Sequence, residues 1–84
     1  TFRSQGIMKI TLYTIDSNRS FEADSLLLPG SYAPFEVLTG HAPIISTLEA
    51  GIIRWRERGR EESLQIKTGV VRVVKDNIEI CAEL

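Results

Sequence analysis

At 84 residues, 43 % hydrophobic and 25 % charged, the chain has the length of one small domain and the composition of an ordinary globular protein, which argues against two domains and against disorder. Ten Lys and Arg against eleven Asp and Glu leave a formal net charge of −1, so no molecule-wide field draws the protein to nucleic acid or an anionic membrane. Cys81 is the only cysteine, which excludes an internal disulfide and a multi-cysteine zinc site and fits a cytoplasmic setting.

Residues 1–7 precede the only methionine and hold no long apolar stretch; they read as a leader or expression remnant, leaving 8–84 as the domain. From there Met8, Ile10 and Leu12 alternate with Lys9, Thr11 and Tyr13, the period of a half-buried strand. Turn signals then recur at short intervals: Asp16-Ser17-Asn18, Pro29-Gly30-Ser31, Thr39-Gly40, Ala50-Gly51, Arg58-Gly59-Arg60 and Asp76-Asn77. Pro43 and Gly51 leave Ile44 to Leu48 room for barely two helical turns, which favours a strand or a short turn. Arg58-Gly59-Arg60 joins Ile52 to Glu57 with Glu61 to Lys67. Period two returns at Leu64, Ile66 and Thr68, at Val71 and Val73, and at Ile78, Ile80 and Ala82 against Glu79 and Cys81. The two residues Asp76-Asn77 make Val70 to Lys75 and Ile78 to Ala82 the best-marked hairpin. No window carries a helical apolar period, so the pattern predicts an all-β sandwich or barrel. The longest apolar runs, such as Leu26 to Leu28, fall far short of the ~20 residues that span a bilayer.

Chemistry is sparsely marked. His41 is the sole histidine, no Gly-x-Ser-x-Gly elbow is present, and Cys81 sits in an alternating strand without a basic neighbour to activate it, which favours a structural thiol over a nucleophile. One histidine with scattered carboxylates lacks metal-ligand spacing, and the dispersed glycines make no phosphate cradle, so neither a metal nor a cofactor is expected. Strand period puts Arg54, Arg56 and Arg58 on one face and Ile53 with Trp55 on the other. That stripe reads first as a solvated face backed by a buried tryptophan. The alternative is a small nucleic-acid-binding module in which the three arginines hold phosphate and an exposed Trp55 stacks on a base.

Three further stretches stand together: Leu28-Pro29-Gly30; Phe35-Glu36-Val37-Leu38-Thr39-Gly40-His41-Ala42-Pro43-Ile44; and Leu48-Glu49-Ala50-Gly51. In order and spacing, from Met8 to Leu84, this series resembles the ε subunits of F-type ATP synthases, with Gly-His-Ala-Pro as its most specific word. Glu36 stands where the family usually has glycine, Thr39 where it has proline, and Thr68-Gly69 where it has Gly-Gly; Pro34 replaces a polar residue. The resemblance implies a ten-stranded β-sandwich of two antiparallel sheets and a non-catalytic rotor role, in which the domain binds the γ subunit and the c-ring and couples proton-driven rotation to ATP synthesis. It carries His41, Ala42, Pro43 and Ser46 to the γ-subunit interface, and Ser31, Tyr32, Ala33 and Pro34 to the c-ring interface, with Tyr32 as the anchor. It also implies a peripheral location on the cytoplasmic face of a bacterial inner membrane without insertion, and makes any homo-oligomer incidental. The family's C-terminal helical hairpin would follow Leu84, so restraint of hydrolysis and nucleotide sensing are not expected of these residues.

Overall fold

Alternation over six or seven residues gives a strand one wet and one dry face, and two sheets closing their dry faces together bury the apolar set. The computed structural model describes residues 7–40 and 42–84, and these form nine strands and no helix. The strands are β1 (Met8–Tyr13), β2 (Asn18–Ala23), β3 (Ser25–Leu28), β4 (Phe35–Leu38), β5 (Ile44–Leu48), β6 (Gly51–Glu57), β7 (Arg60–Ile66), β8 (Thr68–Val74) and β9 (Asn77–Glu83). They build a sandwich of a five-stranded sheet, ordered β2-β1-β9-β8-β5, and a four-stranded sheet, ordered β4-β3-β6-β7.

Two details differ from the expected ten strands in antiparallel sheets. Among the described residues there are nine, and after Leu28 ends β3 the Leu-Pro-Gly stretch adds only an isolated bridge from Gly30 to Leu48. The five-stranded sheet is mixed, because β1 and β9 run parallel, from Lys9 beside Asn77 to Tyr13 beside Cys81. A parallel pair cannot close through a tight turn. The chain between them serves as the crossover, and it includes the whole four-stranded sheet.

Period two places Met8, Ile10 and Leu12 of β1, Val71 and Val73 of β8, and Ile78 and Ile80 of β9 on the inner face. Leu26, Leu28, Val37, Ile53, Trp55 and Ile66 face them from the other sheet, and no polar residue is buried among the described residues. At the β2 edge, Arg19, Phe21 and Ala23 share the inward face opposite Leu12, Ile10 and Met8. Phe21 stacks on Trp55 with ring centroids 4.6 Å apart. The Arg19 guanidinium lies 5.3 Å from the Phe21 centroid and 5.8 Å from that of Trp55. A cation leaning inward at an edge closes the sandwich and discourages a foreign strand from pairing there.

The hairpins explain the remaining register. Arg58 and Gly59, at φ of 53° and 79°, form the two-residue turn between β6 and β7, with the signs of a type I′ turn. Between β8 and β9 the turn is Lys75-Asp76, one residue earlier than the expected Asp76-Asn77, and Lys75 has φ of 55°. This register sets Ile78 opposite Val73 and Ile80 opposite Val71, filling the core, where the later turn would have set Ile78 against Lys75.

Candidate functional site

The registers separate the two family segments to opposite ends of the sandwich. Ile44 lies opposite Val73, near the β8–β9 turn, whereas Leu48 lies opposite Gly69 at the far end. Thr39, Gly40, Ala42 and Pro43 therefore sit at one end, the 29–34 loop sits at the other, and β5 runs between them.

At the far end the loop is built on close contacts that only glycine permits. A Cβ on Gly30 would stand 2.6 Å from the Ala33 carbonyl oxygen and 2.8 Å from the Phe35 ring, and one on Gly51 would stand 2.8 Å from Pro29 Cβ. The Leu-Pro-Gly and Leu-x-x-Gly words thus describe a single packing contact. The Ser31 amide donates to the Thr47 carbonyl at 3.1 Å, the Glu49 amide to the Pro29 carbonyl at 2.9 Å, and Thr47 Oγ1 to Ser31 Oγ at 2.9 Å. Beyond this anchorage Ser31, Tyr32, Ala33 and Pro34 are all exposed, with the Tyr32 ring wholly in solvent. The structure brings these four together as one protruding tip.

At the other end the Gly40 amide donates to Asp76 Oδ1 at 3.1 Å, while the Asp76 carbonyl accepts from the Lys9 amide at 2.8 Å. Asp76 thereby fastens the segment that leads into Ala42 and Pro43, both exposed. His41 lies outside the described residues. Ser46 is half-buried on the inward side of β5, opposite the buried Val71, and its Oγ donates to the adjacent Thr47 carbonyl at 3.1 Å. It is not on the face that Pro43 opens onto.

The outward residues of β5 are Ile45 and Thr47, and Ile45 is 74 % exposed. Beside them on the outer face of the five-stranded sheet stand Val70 and Val74, then Cys81 and Tyr13, all exposed. Pro43, Ile45, Arg72 and Val74 border a shallow hollow of about 330 Å³. Sequence reasoning passed over this apolar face. Its signal is the run Val70-Val71 and Val73-Val74, where period two buries one valine of each pair and must leave the other in solvent. The neighbouring Arg72 and Glu79 pair across strands at 3.3 Å with both side chains well exposed, a contact of little energetic weight.

The arginine stripe is interrupted. Arg54 and Arg56 point outward from β6, but Arg58 occupies the turn, and Trp55 is only 4 % exposed beneath Phe21. Base stacking by Trp55, on which the nucleic-acid reading drew, is closed off. Cys81 is exposed rather than structural, flanked in register by Val70 and Tyr13. Among the described residues no three His, Cys, Asp or Glu side chains gather to hold a metal ion, and no helix is long and apolar enough to cross a membrane.

Comparison with known proteins places this sandwich. Residues 5–84 match the family described as the ATP synthase, Delta/Epsilon chain, beta-sandwich domain. The ATP synthase epsilon chain of Desulfitobacterium hafniense (strain DSM 10664 / DCB-2) is 36 % identical over 62 residues, 74 % of this chain and 47 % of that protein. That of Bdellovibrio bacteriovorus is 31 % identical over 81 residues, 92 % of this chain and 58 % of that protein. The chain thus spans about half the length of these curated relatives. The same fold occurs in the central stalk and c-ring structure of the Tetrahymena thermophila mitochondrial ATP synthase, with a TM-score of 0.80, 16 % identity, and coverage of 98 % of this chain and 67 % of that one. It occurs again in the Euglena gracilis mitochondrial ATP synthase, with a TM-score of 0.85, 19 % identity, and coverage of 98 % and 52 %. With a family match across nearly its whole length and curated relatives above 30 % identity, the chain belongs to the β-sandwich domain family of the ATP synthase delta/epsilon chain.

Proposed function

We propose that this domain is a non-catalytic element of the central stalk of a proton-translocating F-type ATP synthase, seated on the γ subunit by one surface and on the c-ring by its tip. The curated relatives are epsilon chains, and the Tetrahymena structure sharing the fold is described as a central stalk with its c-ring. One observation carries the reading for this chain: β5 joins the two surfaces directly. The Ser31 to Pro34 tip is hydrogen-bonded to Thr47 near the end of β5, and Ala42-Pro43 leads into its beginning. A load on the tip therefore passes along a short hydrogen-bonded strand, inside a sandwich whose packed core resists shear. The domain breaks no bond; it transmits.

The γ-facing surface comprises His41, Ala42 and Pro43 and continues over the apolar outer face at Ile45, Val70 and Val74, since an exposed apolar patch of this kind marks a protein contact. Ser46 supports that surface from within the β5 edge. Tyr32, flanked by Ser31, Ala33 and Pro34, is the anchor toward the polar loops of the ring. Through the ring the domain is peripheral to the cytoplasmic face of a bacterial inner membrane, without inserting into it.

The test is calorimetry of this chain against the γ subunit encoded beside it, at two salt concentrations. Tight 1:1 binding is expected, weakened at least about tenfold by Ile45→Asp, which changes an outward side chain and leaves the core intact. Tyr32→Asp should keep γ binding and lower retention on isolated c-rings. No binding by the folded wild-type chain would overturn the γ assignment, and full binding by Ile45→Asp would remove the outer face from it.

A further inference from the structure

The outer face of the four-stranded sheet lies on the opposite side of the molecule from the surface assigned to γ. Its residues form rows set by the registers: Glu36, Leu27, Arg54 and Ser63 in one, Leu38, Ser25, Arg56 and Glu61 in the next. A groove of about 570 Å³ runs along β3, with Leu27 and Ser25 in its floor, Glu36 and Leu38 on one wall, and Arg54 and Arg56 on the other. Leu27 and Leu38 are 41 % and 50 % exposed. Glu36 and Arg54 stand two strands apart, roughly 10 Å, with Leu27 between them, and neither has an ion-pair partner among the described residues.

This arrangement is its own complement. Let a second copy be laid face to face with a two-fold axis along β3. The axis exchanges β4 and β6, so Arg54 meets Glu36 of the second copy and Glu36 meets its Arg54. Leu27 falls on the axis against its own counterpart, and the Arg56 stem falls over Leu38. At the ~10 Å spacing of packed sheets the facing leucines close the groove, and an Arg and a Glu reach each other across the gap. Moving the axis by half a strand sets Arg54 against Leu27 and Glu36 against Ser63, which loses both pairs. An isologous contact requires this self-matching, in which each residue meets its partner twice.

We propose that free copies of this chain associate as face-to-face dimers through the outer surface of β3, β4 and β6, held by reciprocal Glu36–Arg54 ion pairs around Leu27. Three short strands present less area than the ~1,200 Å² at the lower end of stable interfaces, so the dimer is weak, concentration-dependent and sensitive to salt. It leaves Ile45, Val70 and Val74 uncovered, so a failed dimer does not touch the stalk assignment, nor the reverse.

Sedimentation equilibrium of the full chain from about 10 μM to about 1 mM, at low and high salt, is the first measurement. The wild type is expected to dimerise at the upper end and less so in high salt. Glu36→Arg and Arg54→Glu alter exposed side chains, and each alone should weaken association at least about tenfold by facing like charges across the axis. Mixed in equal amounts, these two variants restore both pairs, so the mixture should associate as the wild type does while each component alone does not. That rescue separates a broken contact from a broken fold. A monomeric wild type throughout the range, a Glu36→Arg variant that sediments like the wild type, or a mixture no heavier than its components would each overturn the proposal.

Discussion

Gly30 has no room for a side chain. Its missing Cβ would press on a backbone carbonyl and an aromatic ring that is itself packed against the core, so neither neighbour can yield cheaply. Gly30→Ala is therefore expected to destabilise the domain by about 1–3 kcal/mol, the range for overpacking a filled site, and to lower the urea midpoint measurably. Gly40 makes the contrasting case: nothing lies within 4 Å of its Cβ position, and its φ of +83° alone demands glycine. At this scale the sequence words acquire causes. Glycine in Leu-Pro-Gly is a matter of space, whereas glycine in Thr-Gly-His is a matter of backbone angle.

At the scale of elements, the β6–β7 hairpin carries a residue ill suited to its turn. Arg58 holds a left-handed conformation that Asn adopts at lower cost, and Asn-Gly is the preferred pair for a type I′ turn. Arg58→Asn should stabilise the chain by about 0.5–1 kcal/mol, read as a higher midpoint with an unchanged denaturant slope. The strands on either side were legible because Ile53 and Trp55, like Leu64 and Ile66, keep strict alternation; β1, β8 and β9 were legible for the same reason. β2 escaped because Arg19 occupies an inward position, so its alternation does not read as apolar against polar. Leu26-Leu27-Leu28 hides its faces in another way, since an unbroken apolar run does not say which leucine is outside. The tip at residues 31–34 was legible as a candidate site only through its resemblance to a family. The apolar outer face was not, because Ile45, Val70 and Val74 look like core residues until the register assigns them to solvent.

At the scale of the whole molecule, β9 is the keystone of the five-stranded sheet, paired with β1 on one side and β8 on the other, and it contributes Ile78 and Ile80 to the core. A chain ending at Asp76 would remove Ile78 and Ile80 from beside Ile10 and Val71 and split the sheet, leaving β1 paired only with β2 and β8 only with β5. It should fail to fold, with the emission of Trp55 shifted to that of a solvated indole and no cooperative thermal transition. The same continuity, with β9 joining β1–β2 to β8–β5, is what the proposed stalk role asks of the intact sandwich.

The parallel pairing of β1 with β9 also bears on how the protein is made. A ribosome releases β1 early and β9 late, so the apolar side of β1 emerges long before the strand that will lie beside it. Met8, Ile10 and Leu12 must wait while the rest is synthesised, and folding dominated by such distant pairings is intrinsically slow. The growing chain is thus exposed to chaperones and to aggregation until β9 appears beside β1.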